Sequence, residues 1–225
     1  MKSTTLIVLS ICAVLVGSII FAVSRPKGAN ANSTAPPSSY TGAPGELGTC
    51  ASCHTGIYGT GYISMGTTGT PFGYIPGETD TIVILVQDSS PALNRWGFEA
   101  TVLKNSDLTM AGTLTPVALT GNKVGTAVSG GRTYISQRSN GATAPSDPND
   151  GTYWGKPNIA GWEFEWTAPP VGSGGVTIYF SGVAANGDQQ ATAADYGYSG
   201  SIYMNELTPT PVSSTTWGKI KKKYQ

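Results

Sequence analysis

The chain has 225 residues, of which only 12% are charged and 30 are glycine. Its formal net charge is zero, but residues 32–218 hold six basic side chains against all thirteen acidic ones, a net charge of about −7. An acidic body without a basic stripe argues against nucleic-acid binding. Abundant Gly, Thr, Ser, Val and Tyr favour strands and turns over helices.

The first 31 residues have the pattern of an export signal. Lys2 precedes an apolar run over residues 6–23, and small residues follow at 28–31. This predicts a signal peptide over residues 1–31. The run is longer than usual for such a peptide, so an uncleaved membrane anchor is the competing interpretation. In either case we expect a secreted, periplasmic or cell-surface protein, which contacts a membrane only through this leader and only if the leader is uncleaved.

The rest of the chain divides into a linker, a motif segment, a strand-rich body and a tail. Residues 32–46, rich in Pro, Ser and Gly, read as an extended linker, and residues 47–75 as a loop-rich segment. Residues 76–207 predict an antiparallel β-sandwich that forms one domain with 47–75, and residues 208–225 form a linker and basic tail. Predicted strands cover residues 81–86, 96–103, 112–119, 132–138, 162–166, 176–180 and 201–207.

One predicted strand shows the sandwich pattern with particular clarity. Trp162, Phe164 and Trp166 alternate with Glu163 and Glu165. Because strand side chains alternate between the two faces of a sheet, we expect the aromatic rings in the core and both carboxylates in solvent.

The motif segment contains Cys50-Ala51-Ser52-Cys53-His54, and the chain has no further Cys or His beyond Cys12 of the leader. Cys-x-x-Cys-His is the attachment signature of c-type haem. Two thiols at this spacing can add to the two vinyl groups of one porphyrin, and the adjoining His can bind its iron. The sequence therefore predicts one haem c, with Cys50 and Cys53 as covalent attachment points and His54 as the proximal iron ligand.

Three other interpretations of the motif remain open. Exported cysteine pairs are usually bridged, so Cys50 and Cys53 could form a short disulfide. A thiol redox centre is less favoured, because such motifs usually begin a helix in a βαβ unit. Structural zinc is disfavoured by the lack of a second Cys/His pair.

The ligand on the iron face opposite His54 is not determined by the sequence. Met65 is the nearest candidate, while Met110 and Met204 are further ones. A five-coordinate or water-ligated iron is equally open.

Other constellations are weaker. Asp147, Asn149 and Asp150 could hold Ca²⁺, but they lack the Gly and Glu of an EF-hand loop, and a solvated turn is favoured. The chain has no Ser/His/Asp set and no Gly-rich phosphate loop, so we do not expect an enzyme.

Several segments resemble one family. Residues 41–46 leading into the Cys-x-x-Cys-His, together with 74–77, 95–99, 162–169, 176–180 and 184–187, resemble bacterial choice-of-anchor V domain proteins, which are related to the reelin-type (Reeler) domain. The resemblance spans roughly residues 41–207. It implies an immunoglobulin-like β-sandwich at the cell surface or secreted, without known catalytic activity. The relatives carry a His in the segment matching 132–137, where Gln137 stands here.

These observations lead to two functional hypotheses. The first is an exported monohaem, cytochrome-like surface protein in electron transfer or redox sensing, with a redox partner that the sequence does not identify. The alternative is a Reeler-like extracellular binding or adhesion module with a Cys50–Cys53 disulfide, no haem and an unidentified ligand.

Overall fold

The computed structural model describes residues 32, 35–56, 59–117, 124–138, 152–153 and 156–208. Within these ranges the chain forms strands and one 3-10 turn at Cys50–Ser52, with no α-helix. The strands are β1 (Tyr62–Thr67), β2 (Gly73–Tyr74), β3 (Thr79–Gln87), β4 (Arg95–Lys104), β5 (Thr113–Pro116), β6 (Val124–Ser129), β7 (Arg132–Gln137), β8 (Thr152–Tyr153), β9 (Lys156–Pro157), β10 (Ile159–Thr167), β11 (Val176–Ala185) and β12 (Tyr196–Glu206).

Two sheets form the body of the domain. One has four strands in the order β1-β3-β10-β5, and the other has six in the order β2-β12-β11-β4-β7-β6. Pairing is antiparallel apart from the short parallel contact between β2 and β12, and β8 pairs with β9 alone. The predicted all-β sandwich is confirmed.

The core lies between the two sheets and contains the aromatic residues expected there. Trp162, Phe164 and Trp166 of β10 are fully buried, whereas Glu165 faces solvent. Phe98 of β4 stacks on Trp162 with ring centroids 4.8 Å apart, which joins the two sheets. Burying each such side chain contributes about 1.5–3 kcal/mol, so these residues hold the sandwich closed.

Within the segment predicted as loop-rich, 47–75, the structure has two strands that were not predicted, β1 and β2. β1 is an edge strand that pairs with β3, with Met65 opposite Ile84. The strand β6 was also not predicted, and it is the edge strand of the larger sheet. Edge strands pair on one side only and are mostly half-exposed here, so their apolar pattern is weak.

Residues 39–49 pack against the domain and do not extend away from it as a linker. Thr41 and Ala43 are buried. The N–H of Gly42 donates to the carbonyl of Gly48 across 2.8 Å, and Thr41 forms a β-bridge with Thr49. The part of the predicted linker that adjoins the motif therefore belongs to the folded unit.

The predicted leader over residues 1–31 lies outside the described residues, as does the tail from residue 209. The Ca²⁺ candidates Asp147, Asn149 and Asp150 also lie outside them. Within the described residues there is no helix long and apolar enough to cross a membrane.

Candidate functional site

The Cys-x-x-Cys-His motif forms a tight turn. The N–H groups of Cys53 and His54 both donate to the carbonyl of Cys50, across 3.3 and 3.0 Å. The side chain of Ser52 accepts from the N–H of Thr49 at 3.1 Å and closes the start of the turn. As a result Cys50, Cys53 and His54 all line the same cavity.

The turn rests directly on the six-stranded sheet. The N–H of Cys50 donates to the Ser181 hydroxyl of β11 at 2.8 Å, and that hydroxyl donates to the carbonyl of Tyr198 on β12 at 2.9 Å. A methyl group on Gly197 would come within 2.4 Å of the Ala51 nitrogen. The absence of a side chain at Gly197 therefore lets the two backbones touch.

His54 forms a hydrogen bond with a buried carboxylate. Its Nδ1 lies 2.8 Å from Oδ2 of Asp195, and Asp195 is fully buried. The Asp195 carboxylate also accepts from the N–H groups of Asn186, at 3.0 Å, and Thr192, at 3.2 Å.

The charge on Asp195 follows from its surroundings. Burial alone would raise the pKa of Asp195, but the hydrogen bonds from His54, Asn186 and Thr192 outweigh it and hold the pKa below its usual value. Asp195 is therefore ionised, and its Oδ2 contacts Nδ1 of His54, so Nε2 is the ring nitrogen that the carboxylate leaves free. Nε2 is the atom available to bind a metal ion.

The cavity lies on the outer face of the six-stranded sheet, under residues 36–54. Its volume is about 300 Å³, at the lower end of the range of about 300–1,000 Å³ for small-molecule sites. Gly97 of β4 and Val183 of β11, which face each other in the ladder, line it from the sheet side. Polar side chains also line it: Tyr40, Arg95, Gln137, Asp188, Gln189 and Gln190.

Gln137 occupies an unusual position at the edge of this cavity. β7 pairs with β4 only through Glu99↔Ser136 and Ala100↔Ile135. After Ser136 no further backbone pairing joins β7 to β4. There the side chain of Gln137 takes over, and its Oε1 accepts from the N–H of Phe98 at 2.7 Å.

The two cysteines are unbonded thiols. Burial, which outweighs the hydrogen bond to Ser181, raises the pKa of Cys50 to about 12, and the nearby Glu99 adds to the rise. At neutral pH the Cys50 thiol is therefore protonated, unlike the low-pKa thiolate that a thiol redox centre requires.

The methionines considered as iron ligands lie elsewhere in the fold. Met65 is in β1 and packs against the core, and Met204 is fully buried within that core. The sulfur of Met110 accepts from the N–H of Thr133 at 3.2 Å. No methionine is among the described residues that line the cavity.

The residues present fit the donor set of a c-type haem. The two thiols sit on one turn, the imidazole has a free Nε2, and the cavity beside them has apolar walls. No group of three or more His, Cys, Asp or Glu among the described residues is arranged to hold a bare metal ion.

Asp195 and the cavity were not predicted from the sequence. Asp195 lies 141 positions from His54 in the chain and stands in an Ala-rich stretch with no recognisable motif. Gln137 was noted only as a departure from the family pattern. Both residues reach the cavity through contacts between distant strands, and such contacts leave no recognisable pattern in the neighbouring sequence.

No protein-family model matches the chain, and no curated protein matches it. Among solved structures, the Reelin-N domain of F-spondin is 18% identical and has a TM-score of 0.43, with 71% of this chain and 96% of that chain covered. The human F-spondin reeler domain (fragment 1) is 18% identical, with a TM-score of 0.41 and coverages of 68% and 94%. A cohesin module from a Clostridium perfringens family 33 glycoside hydrolase is 12% identical, with a TM-score of 0.39 and coverages of 67% and 100%.

Proposed function

We propose that this is an exported monohaem c-type protein of electron transfer or redox sensing. Cys50 and Cys53 would hold the haem covalently, and His54 Nε2 would bind the iron. The observation that carries the proposal is the 2.8 Å contact between His54 Nδ1 and the buried Asp195.

This contact is what a metal-binding histidine needs. Histidine ligands usually donate their second ring N–H to a carboxylate or carbonyl, which fixes the tautomer and orientation and makes the ligating nitrogen more basic. Asp195 also accepts hydrogen bonds from two backbone N–H groups of its own loop. Holding the loop together would explain why a carboxylate is buried here. It would not explain why that carboxylate contacts the histidine of the motif.

The site lies near the surface, as electron transfer requires. The His54 side chain is 16% exposed, so a partner protein could approach it closely. When bound, a haem would supply one-electron chemistry. The chain's own residues hold the imidazole in one tautomer through Asp195, and they exclude bulk water from one side through the sheet residues Gly97 and Val183. We propose no catalytic role.

The second candidate is a Reeler-like extracellular binding module without haem. Two-sheet β-sandwiches are common among cell-surface domains, and they bind ligands through loops at their ends. The cavity has a polar border that includes Arg95, Asp188 and Gln189, which suits a small polar ligand. In this candidate Cys50 and Cys53 would be joined by a disulfide in the oxidising compartment.

One preparation separates the two candidates. The full chain is produced in a bacterial host with periplasmic haem-attachment machinery, and its pyridine haemochrome spectrum and intact mass are recorded. We expect a c-type spectrum and the mass of one haem, both lost in the double variant Cys50→Ser, Cys53→Ser. A haem-free product lacking its two thiol hydrogens would contradict the proposal and support the binding module.

A further inference from the structure

We propose that Gln137 is the hydrogen-bond donor for a small ligand held across the cavity from His54. The ligand class is an uncharged or weakly charged acceptor, such as a diatomic gas or water. The inference rests on the proposed function, since the iron would hold this ligand on its face opposite His54.

The sheet order places His54 and Gln137 on opposite sides of the cavity. The motif turn rests on Ser181 of β11, and Asp195, which binds His54, directly precedes β12. Gln137 ends β7, on the other side of β4. Two to three strand spacings therefore separate the two walls, roughly 10–14 Å at about 4.8 Å per strand. A ligand between them would have the imidazole on one side and the amide on the other.

The amide of Gln137 is fixed with its nitrogen toward the cavity side of the sheet. Its Oε1 is held by the N–H of Phe98, so the donor end is Nε2. A methyl group on Gly97 would come within 2.9 Å of this Nε2. Gly97 alternates with the core residues Trp96 and Phe98 and hence points to the opposite face, where the cavity lies.

This donor has no hydrogen-bond partner among the described residues. Gln137 is 7% exposed, and its Nε2 makes no hydrogen bond to any residue in the described ranges. Nε2 is not among the fully buried, unpartnered atoms of the described residues, so it reaches the cavity, where an acceptor atom on a ligand would take the place of water. No methionine is among the described residues that line the cavity.

Carbon monoxide bound to the reduced haem protein is the probe, because its C–O stretching frequency falls when a donor contacts its oxygen. Gln137→Leu removes the donor at nearly constant volume. Gln87→Leu is the matched control: Gln87 accepts from the Tyr62 hydroxyl at 2.9 Å in the other sheet. We expect the stretch to shift to higher frequency in Gln137→Leu and to stay unchanged in Gln87→Leu.

A second variant covers the case in which Gln137→Leu does not fold, since it also removes the acceptor for Phe98. Gly97→Ala keeps every polar group and pushes the amide away from the cavity, so it should shift the stretch in the same direction. If haem is attached and the C–O stretch is the same in wild type and variants, the role of Gln137 is overturned while the proposed function stands. The same holds if the reduced protein carries haem but cannot bind carbon monoxide. A wild-type protein without haem would overturn the proposed function and this inference together.

Discussion

The backbone N–H of Tyr40 donates to the carboxyl oxygen Oε2 of Glu99 across 2.8 Å, which ties the N-terminal segment to the middle of β4. Glu99 is almost completely buried. Burial, only partly offset by this hydrogen bond, raises the pKa of Glu99 from 4.5 to about 8. The residue is thus a protonated acid at neutral pH.

Stability should fall with rising pH because of Glu99. In the unfolded chain Glu99 loses its proton near its ordinary pKa, whereas in the folded protein it keeps it until near the raised value. Between these two values the free energy of unfolding should decrease by up to about 1.4 kcal/mol per pH unit. Urea unfolding across this window checks it. Glu99→Gln should flatten the slope, and Glu165→Gln, at an exposed position of β10, should leave it unchanged.

Gly197→Ala should detach the motif turn from the sheet. The new methyl group would lie 2.4 Å from the Ala51 nitrogen and 2.5 Å from its Cα, and overpacking of this kind costs about 1–3 kcal/mol. Thermal unfolding and haem content after expression measure the effect. Gly66→Ala is the control, since a methyl group there meets nothing within 4 Å. Equal stability of the two variants would show that the close approach is not needed.

Asp195→Asn should raise the reduction potential of the haem form. The neutral amide accepts less strongly from His54 Nδ1, so the imidazole becomes a poorer electron donor and the reduced state is favoured. Spectroelectrochemical titration gives the potential. Asp188→Asn removes a charge from the same loop region without touching His54 and should have a smaller effect. A potential that moves equally in both variants would indicate a general charge effect and not a role for the His54 contact.

Glu46→Ala should loosen residues 41–49. Oε2 of Glu46 accepts from the N–H of Thr41 at 2.8 Å and from its hydroxyl at 2.7 Å, while Oε1 lies 3.5 Å from Arg132. Hydrogen bonds to a charged group contribute about 1.5–3 kcal/mol each. Hydrogen exchange in this segment should accelerate, and Glu78→Ala, at an exposed turn, should not change it. Unchanged exchange in Glu46→Ala would mean that the segment is held by other contacts.

The sequence predicted the parts of this protein that depend on neighbouring residues. β10 was recognisable because its aromatic and acidic residues alternate, and the motif because Cys50, Cys53 and His54 lie within one stretch of the chain, residues 50–54. β1 and β6 escaped prediction because an edge strand needs an apolar pattern on only part of one face.

The partners of the motif depend on contacts between distant segments. Asp195 reaches His54 only because β11 and β12 are paired, and Gln137 reaches the cavity only because β7 stops pairing with β4 after Ser136. The sequence around a residue does not show which distant strand that residue will contact. These residues could therefore be found only from the assembled sheets.

The seating of the motif turn on Gly197 and Ser181 also sets an order of events during biogenesis. Ser181 lies 131 positions after Cys50, so the turn has nothing to rest on until β11 and β12 have been synthesised and paired. During that interval both thiols are accessible to an enzyme that would modify them. Once β11 and β12 are in place, burial raises the pKa of the Cys50 thiol and keeps it protonated at neutral pH. We therefore expect any covalent chemistry at Cys50 to precede completion of the fold.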